Sequence, residues 1–158
     1  MAMEKLLKSF GQYYDVRTEN VIAPFVAQAE FHAHDEHYVF VRAAKISESD
    51  SNEYVYFHQG EKLDLFLLNT LCHKAWTDGI SKINPYFGHR NSDVVLVVLA
   101  DFVDDAAKKK IKKMRYYKSY KFSFCGWSHF KLVVKELSSG KVFCNNQGTV
   151  FRKTLSNI

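Results

Sequence analysis

The chain has 158 residues, 47% hydrophobic, 25% charged and 15% aromatic. That is the size and balance of one soluble globular domain, residues 1–158, and it excludes an intrinsically disordered chain. Three cysteines (Cys72, Cys125, Cys144) with no C-x-x-C pair support neither a zinc knuckle nor a thioredoxin-type site, and they read as buried or free thiols. The net charge of +5 hides two unlike parts: residues 1–105 hold nine Lys/Arg against sixteen Asp/Glu (net −7), and residues 106–158 hold thirteen against Glu136 alone (net +12).

Along the chain, Met3, Leu6, Leu7 and Phe10 recur at helical spacing, and Gly11 weakens the pattern beyond them. This start lacks the basic and apolar regions of a signal peptide. From Phe25 the period falls to two and continues to His34. It resumes over His37–Ile46 and again over Glu53–His58, so three strands in an antiparallel meander are expected. Leu65, Leu68, Cys72, Ala75 and Trp76 share one face of a helix of about five turns, with Gly79 as its C-cap. VVLVVLA (94–100) reads as a strand buried on both faces at the middle of a sheet, and it is far too short to span a bilayer. A short helix follows from Asp104, then a strand over Lys118–Phe124, then a hairpin, HFKLVVKEL–SSG–KVFCN. The fold class is therefore α+β, in the order α-β-β-β-α-β-α-β-β, with a mixed, mostly antiparallel sheet and helices packed on it.

Two stretches carry the chemistry. EFHAHDEHYVF (30–40) spaces His32, His34 and His37 as H-x-H-x-x-H. His32 and His34 fall on one face of a strand, and neutral imidazoles there suit a divalent metal such as Zn²⁺ or Ni²⁺. The spacing looks like the H-x-H-x-D-H motif of the metallo-β-lactamase superfamily, with Glu36 where the Asp stands. That motif opens onto a helix, whereas YVFVRAA continues here as a strand, so this assignment is rejected. The second stretch is KKKIKKMRYYKSYKF: Lys108, Lys109, Lys110, Lys112, Lys113, Arg115 and Lys118 are interleaved with Tyr116 and Tyr117. Cations that neutralise phosphates beside rings that stack on bases make a polyanion-binding surface. Asp104 and Asp105 at the start of this helix and lysines at its end also suit the helix dipole.

The opening order helix–strand–strand–strand–helix–strand resembles the core of the PD-(D/E)xK nuclease superfamily over roughly the first 100 residues. The resemblance implies a first acid at Asp35 and an acid–x–lysine on the third strand, holding Mg²⁺. That strand opens Glu53-Tyr54-Val55, with Val where the lysine belongs. No phosphate-binding loop, dinucleotide fingerprint, nucleophile elbow or H-E-x-x-H occurs.

The sequence thus favours a non-enzymatic cytoplasmic module that binds a nucleic acid or an acidic protein surface through its basic C-terminal third, with no membrane involved. One rival is a divalent-metal enzyme, hydrolase or nuclease-like, built on His32, His34 and His37. The other is a homo-oligomer in which the acidic part of one copy meets the basic part of the next.

Overall fold

The computed structural model describes residues 1–32, 51–85, 91–122 and 124–158. The elements are α1 (Ala2–Phe10), β1 (Asp15–Arg17), β2 (Ala27–Phe31), β3 (Ser51–Leu63), α2 (Leu65–Ser81), β4 (Asn91–Val103), α3 (Asp105–Lys113), β5 (Tyr117–Ser119), β6 (Trp127–Glu136), β7 (Val142–Cys144), a 3₁₀ turn (Gln147–Phe151) and α4 (Arg152–Ser156). Among the described residues seven strands form one sheet in the order β1-β2-β3-β4-β6-β5, and β7 also pairs with β6. Tyr117–Ser119 and Val142–Cys144 therefore share the outer edge of β6, one beside each half of it.

The sheet is mixed rather than mostly antiparallel. Its two central ladders, β3 with β4 and β4 with β6, run parallel, while the flanking pairs are antiparallel. Parallel neighbours need a crossover, and α2 and α3 supply the two. The strand expected over His37–Ile46 lies outside the described residues, and β2 pairs directly with β3, Ala27 opposite Phe57.

VVLVVLA is buried on both faces because helices cover both. Val94, Leu96, Val98 and Ala100 pack with α2 and α3, through Leu68, Leu71, Cys72, Ala75, Ala107 and Ile111. Val95, Val97 and Leu99 pack with α1 and the C-terminal turn, through Met3, Leu6, Phe10, Phe151 and Leu155. Phe10 anchors that second layer, its ring 5.0 Å from Phe57 and 5.7 Å from Phe151. Burying each such side chain contributes about 1.5–3 kcal/mol.

Two glycines are spacers. Gly79 lies inside α2, whose C-cap is Lys82, and not at the helix end expected from the sequence. A Cβ there would come within 2.5 Å of Val94 Cγ2, so the missing side chain lets α2 lie against β4. A Cβ on Gly148 would sit 2.2 Å from the Leu132 carbonyl oxygen. Beside it Asn145 accepts the Leu132 and Gly148 N–H groups (3.0 and 2.8 Å) and donates to the Met114 and Phe130 carbonyls (3.0 and 2.8 Å). One side chain thus ties the end of α3 and the C-terminal turn to β6.

Glu136 makes a second tie to α3, at the C-terminal end of β6. Its carboxylate accepts from the Ser139 hydroxyl (2.5 Å), the Val103 N–H (2.9 Å) and Lys108 Nζ (2.9 Å). The Ser139 hydrogen bond first, then Lys108 and the Val103 amide, outweigh desolvation and bring its pKa from the ordinary 4.5 down to about 2. A depressed carboxylate pKa stabilises the fold above the unfolded value, and the contribution fades as pH falls through the folded one. Wild type is therefore expected to exceed Glu136→Gln in stability by a constant margin above the usual carboxylate range. That margin should shrink as pH falls from 4.5 to about 2, read by urea unfolding at each pH. A margin that does not change with pH would remove this role.

Candidate functional site

The basic helix α3 is amphipathic with a narrow apolar stripe: Ala107 and Ile111 are buried, and Met114 closes the helix beneath them. Lys109, Lys110, Lys112 and Lys113 therefore face solvent, and Arg115, Tyr117 and Lys118 follow them at the surface. Two residues of the expected surface are used internally. Lys108 is half-buried, pairs with Glu136 and lies 5.2 Å above the Phe143 ring. Tyr116 stacks on Trp76 at 5.4 Å and meets Phe130 edge-on at 5.2 Å, and burial pushes its hydroxyl pKa up.

The chain beyond Ser119 departs from the strand expected over Lys118–Phe124. Tyr120 turns inward, its hydroxyl 2.9 Å from Ser128 Oγ. Lys121 and Phe122 then take left-handed backbone angles, φ 47° and 53°. Each such non-glycine residue costs about 1–2 kcal/mol. The turn is closed by the Phe124 N–H to the Lys121 carbonyl (3.1 Å) and the Cys125 N–H to the Tyr120 carbonyl (3.2 Å). Its product is Phe122 at 94% exposure and Phe124 at 70%, beyond an exposed Tyr117. Periodicity misses these rings because alternation in KSYKFSF mimics a strand. The sequence signal is Gly126, whose φ of 87° ends the turn.

A second cluster is buried. Glu53 (β3), Asp93 (β4) and Lys131 (β6) share the sheet face that packs on α1, with Glu53 and Asp93 opposite each other in register. Lys131 Nζ lies 2.7 Å from Glu53 Oε1 and 2.8 Å from Asp93 Oδ2. The His129 N–H donates to Asp93 Oδ1 (3.0 Å), and the Tyr14 hydroxyl donates to Glu53. Burial alone would lower the lysine pKa; Glu53, then Asp93, outweigh it and hold it above the ordinary value. Asp35, the first acid implied by the nuclease resemblance, lies outside the described residues, and Val55 is buried in the core. A lysine nevertheless reaches Glu53, from β6 rather than from two residues along β3.

Of the histidine cluster, His34 and His37 lie outside the described residues. His32 is exposed at the end of β2, its Nε2 3.3 Å from Glu30 Oε2. Glu30 also faces Arg17 and Lys82, each at 3.9 Å. Among the described residues no three His, Cys, Asp or Glu are placed to hold a metal. Cys72, Cys125 and Cys144 are all buried. No helix among the described residues is long and apolar enough to cross a membrane.

The family described as a domain of unknown function, DUF8052, matches residues 1–157, and the chain belongs to it. No curated protein and no solved structure matches the chain.

Removing one member of a buried ion cluster leaves the remaining charge uncompensated. Lys131→Met leaves two carboxylates in the core, and a loss of about 3–5 kcal/mol is expected in urea unfolding. The triple variant Glu53→Gln/Asp93→Asn/Lys131→Met should regain much of it. A single variant as stable as wild type would show that the cluster does not carry charge in the folded core.

Proposed function

We propose that this domain binds a polyanionic partner through α3 and the chain that follows it. The observation that carries the reading is where the cations of the basic third go. Among the described residues Lys131 alone pairs across to the acidic part, and Lys108 pairs with Glu136 inside the basic part. Lys109, Lys110, Lys112, Lys113, Arg115 and Lys118 stay at the surface. An unneutralised cationic face attracts phosphate or carboxylate arrays, and the gain comes chiefly from released counterions. An acidic surface on a second copy of this chain is one such array, and light scattering at low and high salt separates that case. Retention on immobilised heparin is expected to fall steeply with salt. Lys109→Glu/Lys110→Glu/Lys113→Glu should elute earlier. For a nucleic acid, the slope of log affinity against log salt should drop by about 0.7–0.9 for each phosphate the variant no longer neutralises. Wild-type protein that does not bind heparin at low salt would end the reading.

The lysine that Lys131 brings to Glu53 favours a second reading, a divalent-metal enzyme of nuclease-like type. Two carboxylates and a lysine on one sheet face are groups that hold a cation and orient a water. The same reading extends to a metal at His32, His34 and His37. It requires metal in tag-free protein by elemental analysis, and Mg²⁺- or Mn²⁺-dependent cleavage of a labelled oligonucleotide. Cleavage should be lost in Glu53→Gln while heparin retention stays. Metal-free protein with no cleavage at any added divalent ion removes it.

A further inference from the structure

We propose that the polyanion taken at this edge is a single-stranded nucleic acid, whose bases stack on Phe122 and Phe124 while Lys118 and Lys121 meet its phosphates. The proposal rests on the polyanion reading and adds to it the chemistry of the rings.

A carboxylate array would be satisfied by lysines alone. Here the hairpin between β5 and β6 ends in two phenylalanines held out of the core, Phe122 at 94% exposure and Phe124 at 70%. The backbone places them there: Tyr120 is anchored inward on Ser128, and the left-handed residues Lys121 and Phe122 reverse the chain before Phe124. A strand continuing the alternation would have kept Tyr120, Phe122 and Phe124 on one face. The turn separates the buried ring from the two exposed ones.

Two exposed rings of the acidic part sit in a different electrostatic setting. Phe66 is 80% exposed and Phe102 61%. Phe66 follows the N-cap Asp64, and Phe102 lies between Asp101 and Asp104. The hairpin rings, by contrast, are flanked in sequence by exposed cations, Lys118 and Lys121, with no acid from Ala106 to Lys135. Lys121 and Phe124 are three residues apart, at most about 11 Å along the chain. A phosphate and the bases beside it fit within that reach. Duplex DNA hides its base faces in the stack, so these rings select unpaired strands, and stacking accepts any base.

The test is fluorescence anisotropy with a short labelled oligo-dT, a duplex of equal length, and vesicles of phosphatidylserine in phosphatidylcholine, alongside heparin retention. Oligo-dT is expected to bind more tightly than the duplex at equal salt. Phe122→Ala/Phe124→Ala should weaken oligo-dT binding at least about tenfold while heparin retention and melting temperature hold. Phe122→Ala alone serves if the double variant melts early. Oligo-dT binding that survives the substitutions, or that the duplex equals, overturns the stacking proposal and leaves the polyanion reading standing. Wild type that binds neither nucleic acid nor heparin removes both. Ring-dependent binding to the vesicles without oligo-dT binding overturns the proposal in favour of a membrane surface.

Discussion

Lys131 reaches Glu53 and Asp93 across β3, β4 and β6, the three strands that make up the parallel centre of the sheet. A lysine at this depth is tolerable only with carboxylates against it. The contact therefore exists in one register. Sliding β6 by one residue would turn Lys131 to the other face and leave the two acids opposite an apolar neighbour. Apolar strands such as VVLVVLA carry little register information, since every position is equally greasy on both faces. The buried charges supply the distinction that the valines lack.

Once β6 is placed, the rest of the basic third follows from it. Its outer edge is divided between β5 and β7, and it is tied to α3 at two places. Asn145 fastens the Met114 carbonyl to the strand, and Glu136 holds Lys108. The lysine-rich helix is thus mounted on the sheet at both its ends. Its buried stripe is narrow, so the remaining cations have no inward position to occupy. A charge-dense surface on a rigid support arises from the same ties that stabilise the fold.

The parts of this arrangement legible in the sequence are those fixed by local pattern. The apolar run of β4, the helical face through Leu68, Cys72 and Ala75, and the hairpin around Ser138–Gly140 each follow from spacing and turn chemistry within about twenty residues. What escapes is set by distant partners. Glu53 and Lys131 are 78 residues apart, and no spacing rule joins them. Gly79 looks like a helix end because its reason is Val94 beneath it. The antiparallel bias arises because strand spacing does not reveal that α2 and α3 act as crossovers between the parallel strands β3, β4 and β6. KSYKFSF misleads for another reason: alternation is a necessary mark of a strand, yet two left-handed residues can interrupt it without changing the pattern.

The charge division of the chain offers two outcomes, neutralisation across the fold or a surplus on one side. Internal pairing uses Lys131 against the acidic part, while pairs such as Lys62 with Asp104 and Lys82 with Asp78 stay within that part. The outward lysines of α3 are left without ion-pair counterparts among the described residues. Self-repulsion among closely spaced lysines costs stability, and dissolved counterions relieve only part of it. A partner bearing a regular array of negative charge relieves more, because it gathers into one molecule what the counterion cloud supplies loosely. The proposed ligand with both phosphates and flat faces rests on the outward lysines together with the exposed rings, rather than on the net charge of +5.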